Sequence, residues 1–593
     1  MPFQVSPGVV VTERDLTTVV PNVATSIGAV AGQFQWGPVL ERVRITTEND
    51  LVKTFGEPTT NTFEHFWSAA NYLAYSNNLL VVRNVKDDAR NSVVGDDNAG
   101  FTGTNSTVVQ NGDDYESDLS ALTAGDTLFI AKYPGVRGNS LKAIALDGTG
   151  WATAEGTAAG ARTTDQKLFL ASFDSAPATS ADVASVGGSN DEMHVLVIDE
   201  DGLFTGEPGE VVEAHGYVSK AIDAKKFNGS SNYVGNVLRN ESKYIWLGSR
   251  NKITESSLDA SPAADAGASK SGTTFKRLNA AAAADQIIGG SLTAGLDGSD
   301  LVNADLTAAY DLYVDADTVD VTLIMSGAGS TVVGSHIIDN IASKRKDCVA
   351  FVSPNRASVV TPASNDAAVT ALKADSTALG SSNYAIMDGA WKYQYDRYRD
   401  IFVYVPMNGD IAGLCARTDF TNDAWWSPAG LTRGVIKNIV KSSWEPTKPD
   451  RDEIYQLGIN PITTQQGAGV ILFGDRTMQI TPTAFDRINV RRLFIVLEKA
   501  IAVAAKAMLF EFNDEFTRSQ FVNIVTPFLR EVQGRRGLTD FKVVCDSSNN
   551  TGQVIDTNNF VGDIYIKPNR SINFIQLNFI AARSDVSFSE IGG

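Results

Sequence analysis

At 593 residues, 43% of them apolar and 20% charged, the chain is long enough for several hydrophobic cores and too apolar to stay unfolded. It has no run of 18 apolar residues to span a membrane, and no basic stretch followed by an apolar one to act as a secretory signal. Three scattered cysteines (Cys348, Cys415, Cys545) argue against a disulfide framework, and His65, His194, His215 and His336 lie too far apart for metal-ligand spacing. The formal net charge of −19 has one address: residues 93–340 hold 34 acids and 15 bases, while the remainder is neutral. Such a block reads first as a solvated surface. A calcium site at Asp315-Ala-Asp-Thr-Val-Asp320 is the sharper alternative, but that run lacks the central Gly and terminal Glu of an EF-hand loop.

In chain order, Ser6 to Asp15 is extended and β-branched, with Val9, Val10, Val11 and Thr12 too apolar for a free tail and no partner strand nearby. Ile27–Gly32 reads as a buried strand and Gly37-Pro38 as a break. A short helix is expected to end near Phe55-Gly56. A second carries Phe63, Phe66, Trp67, Ala70, Leu73 and Ala74 on one face, and Leu79–Val85 is apolar throughout, as in a strand covered on both sides. From residue 93 to about 334, Gly, Ser, Thr, Ala and Asp dominate around short strands, which predicts β-rich insertions in one or two lobes. The α/β pattern resumes with a strand at 319–325, a glycine loop, a helix over 333–344 and a strand at 348–352. That unit fails the dinucleotide test, because Gly327 and Gly329 are followed by Val332 where the third glycine belongs. Strands at 384–387 and 401–405, a helix at 410–418, the aromatic turn Trp425-Trp426 and strands at 457–462 and 469–477 continue the same domain.

The last hundred-odd residues open on a helix whose stripe is Val490, Leu493, Leu497, Ile501, Ala504 and Met508. Arg487, Arg491, Arg492, Lys499 and Lys506 occupy its other faces. Thr517 and Gln520 read as the capping box of a second helix that bends at Pro527 and stops at Gly534. Strands are then expected at 541–545, 561–567 and 572–580. The last, with Ile572, Phe574, Ile575, Leu577 and Phe579, is apolar on both faces and must be buried in its own sheet or lent to a neighbour's. No nucleophile elbow and no phosphate-binding loop occurs, so no catalytic, cofactor-binding or metal-binding residues are assigned.

Several separated stretches resemble contractile (myovirus-type) phage tail sheath proteins. They are Pro7–Glu13, Gly32-Gln-Phe-Gln-Trp-Gly-Pro38, Ala131–Lys142, Trp425–Gly430, Phe485–Arg492, Gly537–Val543 and Ile566-Lys-Pro568. The resemblance implies a mixed α/β and α+β multidomain protein with a nested plan. Residues 1–20 would be an N-terminal arm joining an inner domain at 481–593. Residues 21–92 with 335–480 would form a middle α/β domain, and 93–334 an outer acidic insertion. It further implies arms that complete a sheet in neighbouring subunits: Val9, Val10, Val11 and Thr12 at one end, Ile572, Phe574, Ile575, Leu577 and Phe579 at the other. A helix carrying Arg487, Arg491, Arg492 and Lys499 would face the tail tube. The implied partners are identical copies in hexameric rings stacked helically, the tube protein, and baseplate and terminator proteins. Neither nucleic acid, membrane insertion nor a cofactor is expected. The protein would sit in the virion after assembly in host cytoplasm, and contraction would drive the tube through the host envelope. Two other readings stay open: a tail-fibre or baseplate host-binding module, and an enzyme cleaving peptidoglycan or carbohydrate.

Overall fold

The computed structural model describes residues 24–94, 107–124, 127–248, 267–278, 286–328, 330–573 and 576. Its described residues divide into two units, one spanning Ala24–Arg417 and Ala429–Ile480, the other built from Thr418–Pro428 and the chain from Thr481 onward. Helices and several separate sheets are mixed throughout, as the sequence patterns predict.

The larger unit is built on a seven-stranded sheet. In chain order its strands are β1 (Gly28–Gly32), β2 (Arg42–Ile45), β3 (Leu79–Arg83), β11 (Leu323–Met325), β12 (Val349–Val352), β13 (Ala385–Asp388) and β17 (Ile459–Asn460), arranged β17-β13-β12-β11-β1-β3-β2. Every neighbouring pair is parallel except β2 with β3. Parallel strands covered on both faces need continuous apolar runs, and β1, β12 and β13 are buried at every position. The helix Phe63–Leu73 packs so close to β1 that a Cβ on Gly28 would meet the Tyr72 ring at 2.6 Å, and one on Gly32 would meet His65 Nδ1 at 2.5 Å. Glycine at these two positions lets the helix lie down on the strand.

Between β3 and β11 the chain leaves for two further sheets. One holds β4 (Asn91–Val94), β5 (Phe129–Pro134) and β9 (Ile245–Leu247). The other holds β6 (Leu141–Leu146), β7 (Glu192–Asp199), β8 (Glu210–Ser219) and β10 (Ile288–Ser291) in the order β10-β6-β7-β8. The insertion is less purely β than its composition suggests, since five helices lie between β4 and β9. It is also anchored to the central sheet. Trp36 is buried in the same cluster as Phe129, Leu141 and Val195, and the buried guanidinium of Arg83 donates to the carbonyls of Phe34, Gly37 and Pro134 at 2.7–2.9 Å. The chain re-enters the central sheet earlier than the composition boundary at 335. The helix Asn303–Asp311 places Tyr310 Oη on the carbonyls of Ala31 and Met325, and β11 is complete by Met325. A gradual change in composition marks the end of the insertion poorly, because this helix is itself rich in Ala and Asp.

A three-stranded antiparallel sheet follows, with β14 (Trp391–Asp396) between β15 (Ile401–Pro406) and β16 (Lys441–Ser442), and then the hairpin of β18 (Ile462–Gln465) and β19 (Gly469–Leu472). Beyond the C-terminal ends of β11, β12 and β13 the space is filled by the chain's own polar side chains. Ser353 Oγ donates to Asp388 at 2.6 Å, Asn408 donates to Gly327 O at 2.8 Å, and Lys392 pairs with Asp410 at 2.9 Å, all of them buried.

The smaller unit is two long helices, Ile488–Lys506 and Glu515–Gly534, against a hairpin of β20 (Leu538–Val544) and β21 (Asp563–Pro568). Leu493, Leu497, Ile501, Phe521, Val525, Leu529 and Leu538 form its core. The second helix is capped by Asp514, which accepts from Thr517 N–H at 2.8 Å, and not by Thr517 as the sequence pattern suggested. Asp514 precedes Thr517 by one helical turn, and its carboxylate, the stronger acceptor, claims the first free N–H groups. Trp425 and Trp426, expected with the α/β domain, pack in this unit: Trp425 Nε1 donates to Arg535 O at 3.1 Å and the Arg536 guanidinium lies over Trp426 at 5.5 Å.

Candidate assembly interface

Three kinds of surface feature stand out among the described residues: strand edges, a charged helix and exposed apolar patches. The first is the β20–β21 hairpin. Its inner face puts Phe541, Val543, Ile564 and Ile566 on the helical core, while its outer face carries the solvated pair Asp540 and Lys567. Each strand pairs only with the other among the described residues, so neither outer edge has a described partner strand. Asn569 fastens the open end: it donates to Arg536 O at 2.8 Å and accepts from Thr539 Oγ1 at 2.6 Å. Of the arm residues, Ile572 is exposed. Val9, Val10, Val11, Thr12, Phe574, Ile575, Leu577 and Phe579 lie outside the described residues, as does most of the strand expected at 572–580.

The basic helix is arranged differently from the sequence picture of an apolar stripe with cations elsewhere. Arg491 and Arg492 are both buried. Arg492 Nη2 pairs with Asp419 at 2.5 Å, and Arg491 reaches Glu498 at 3.2 Å while stacking on Phe485 at 4.8 Å. The reason is the segment 418–428, which covers this side of the helix and supplies Asp419. Arg487, near Asp486 at 3.7 Å, and Lys499 are half-buried. The four cations therefore do not share one exposed face.

Two apolar surfaces escaped the sequence reading. The turn joining the two helices holds Leu509, Phe510, Phe512 and Phe516, all strongly exposed. The outer face of the β14–β15–β16 sheet is an aromatic ladder: Tyr393 pairs with Tyr404 and Tyr395 with Phe402 across the strands, and Lys441 stands opposite Tyr393 on the same face. The only sequence signal for either was a density of aromatic residues, which at this spacing reads equally well as core.

Three phage tail sheath families match the chain: the domain III N-terminal region over residues 25–83, the central domain over 297–478 and the C-terminal domain over 481–582. Among curated proteins, the chain is 34% identical to the tail sheath protein of Enterobacteria phage T4, with 99% of each chain covered. It is 32% identical to that of Vibrio phage KVP40, again over 99% of each, and 30% identical to that of Salmonella phage ViI over 99% of this chain and 98% of the relative. Among solved structures, the sheath tail protein of Listeria innocua aligns over 93% of this chain and 97% of its own at 12% identity and a TM-score of 0.49. Identity of a third to the T4 protein over essentially both whole chains decides the matter: the chain belongs to the phage tail sheath protein family and is a contractile tail sheath subunit.

Proposed function

We propose that this subunit polymerises into hexameric rings stacked helically around a tail tube, and that contraction of the polymer drives the tube through the host envelope. The observation that carries this reading is the two-stranded β20–β21 sheet, whose outer edges have no described partner strand. Strands from neighbouring copies would complete it: Val9–Thr12 from one and the segment carrying Ile572, Phe574, Ile575, Leu577 and Phe579 from another. Backbone hydrogen bonds of that kind hold while domains rotate, so a polymer can change pitch without coming apart. Head-to-tail contacts that do not close give an open helical assembly. Each subunit need release only about 1–3 kcal/mol, the usual scale of a conformational coupling, for many copies to do substantial work. Arg487 and Lys499, with Arg491 and Arg492 behind them, would meet an acidic tube surface. Baseplate and terminator proteins would cap the polymer, assembly would take place in host cytoplasm, and the subunit would act as a structural element with no catalytic step.

Deleting residues 1–20, or ending the chain after Ser571 so that Asn569 still fastens the hairpin, should abolish tubules in negative-stain micrographs while leaving the thermal melt of the isolated subunit within a few degrees of the full chain. Normal tubules from both truncations would remove the strand-exchange reading. A host-binding role for the insertion would show itself differently, as lost adsorption with tail assembly intact.

A further inference from the structure

The turn between the two long helices is held rigidly yet points its largest side chains outward. Asn513 anchors it, donating to Asn550 Oδ1 at 3.1 Å and Asn559 O at 2.8 Å and accepting from Arg518 Nε at 2.8 Å. Asp514 adds the helix cap. On this frame Leu509 is 63% exposed, Phe510 106%, Phe512 83% and Phe516 73%. Phe510 also has φ of 72°, a left-handed backbone that a bulky residue rarely adopts. A turn that spends strain to present four apolar side chains from a fixed support is preorganised for a partner. It carries three exposed acids, Glu511, Asp514 and Glu515, with the bases Lys506 and Arg518 at its two ends, the latter turned onto Asn513.

The aromatic ladder of the β14–β15–β16 sheet has the complementary character. Phe402 and Tyr395 are 51% and 46% exposed, with ring centroids 5.2 Å apart, and Phe402 stacks on Tyr393 at 5.5 Å. The exposed Lys441 sets its ammonium 5.1 Å from the Tyr393 centroid and pairs with no carboxylate among the described residues. One surface is a protruding apolar turn with acids, the other a flat aromatic face with Lys441 beside Tyr393 and Asp400 accepting from Tyr395 Oη at its other end. Two unlike, complementary patches on one chain are what a heterologous contact between identical copies requires, and such contacts grow into open helices.

The geometry points to a docking contact in which the turn carrying Phe510, Phe512 and Phe516 of one copy seats on the Tyr393–Tyr395–Phe402 face of a neighbouring copy, with Glu511 or Glu515 meeting Lys441. This rests on the reading of the protein as a self-assembling sheath subunit, and adds a contact made by side chains to one made by exchanged strands.

The test uses the full chain with Phe510 replaced by photo-crosslinking benzoylphenylalanine, polymerised with an excess of nitrogen-15-labelled unmodified protein. Cross-links to labelled peptides covering residues 391–406 or 441–442 are expected, and the reciprocal probe at Phe402 should capture residues 506–518. Cross-links confined to other segments, to the carrier chain itself, or to the tube protein when tubes are added would overturn the proposal. Charge exchange gives a second readout that does not depend on the probe. Lys441→Glu alone should raise the critical concentration for polymerisation by about fivefold or more, and Glu511→Lys with Glu515→Lys on the same chain should recover most of that loss. An unchanged critical concentration for Lys441→Glu, or no recovery, counts against the contact. Failure of the unmodified chain to polymerise at all would instead count against the sheath reading beneath it.

Discussion

Asp388 sits fully buried at the C-terminal end of β13, where its carboxylate accepts a hydrogen bond from Ser353 Oγ at 2.6 Å. Burial is the main cause that pushes this carboxyl up to about 8, with the nearby Asp410 adding to it. Below about pH 4 the folded and unfolded chains both carry the proton, and the site costs nothing. As pH rises toward about 8 the unfolded chain has released its proton and the folded one has not, so stability falls across that window. Asp388→Asn keeps the shape and removes the titration. Its melting temperature should therefore match the parent near pH 4 and rise progressively above it toward pH 8. A pH-independent difference in calorimetry would refute the assignment. A second residue-scale case is Gly32, where an added methyl would sit 2.5 Å from the imidazole of His65, itself held neutral by burial that drops it to about 4. Gly32→Ala should cost about 1–3 kcal/mol in denaturant unfolding through overpacking alone.

Arg492 shows what element-level reasoning can and cannot see. Its helix was legible because Leu493, Leu497 and Ile501 repeat at the spacing of one buried stripe, and the structure puts those residues in the core of the smaller unit. The burial of Arg492 was not legible, because its counter-ion Asp419 is 73 residues away and nothing local announces a covering segment. The same limit explains the exposed turn: Phe512 and Phe516 have the look of core residues until the packing is known. The buried strands were legible, since β1, β3 and β12 are continuous apolar runs, while the end of the insertion is blurred in the sequence because the helix Asn303–Asp311 shares the insertion's composition. The arrangement separates two roles for the helix cations. Arg492→Leu takes the guanidinium away from the largely buried carboxylate of Asp419 and should cost about 3–5 kcal/mol in the melt of the isolated subunit. Charge reversal of Arg487 and Lys499, which are half-buried, should leave the melt nearly unchanged and reduce co-assembly with purified tubes. Equal losses of stability from both pairs of changes would end that separation.

For the whole molecule the question is how far the acidic insertion is a passenger. Its two ends meet: Arg90 and Leu296 form an antiparallel bridge, and Asp88 accepts from Ser299 N–H at 2.9 Å and from its hydroxyl at 2.5 Å. Loop closure across such a junction is cheap, so residues 91–295 can be replaced by two or three glycines without pulling β3 and β11 apart. Val39 would lose the hydrogen bonds of its N–H to Gln110 O and of its carbonyl to Asn111 Nδ2, and two larger groups would suffer more. Trp36 would lose its cover of Phe129, Leu141 and Val195, and Arg83 would lose the carbonyl of Pro134 while keeping those of Phe34 and Gly37. The shortened chain should thus fold with a stability deficit dominated by the exposed indole, about 3 kcal/mol on the scale of a large aromatic side chain uncovered. Trp36→Gln in that background should cost nothing further, although the same change in the full chain would be severe. Because most of the excess negative charge leaves with the insertion, the shortened protein should also polymerise at lower salt and lose solubility near neutrality. Circular dichroism melts of the four proteins and micrographs of the shortened one check both points. A shortened chain that cannot fold even with Trp36 replaced would mean that the insertion is part of the central core and not an appendage to it.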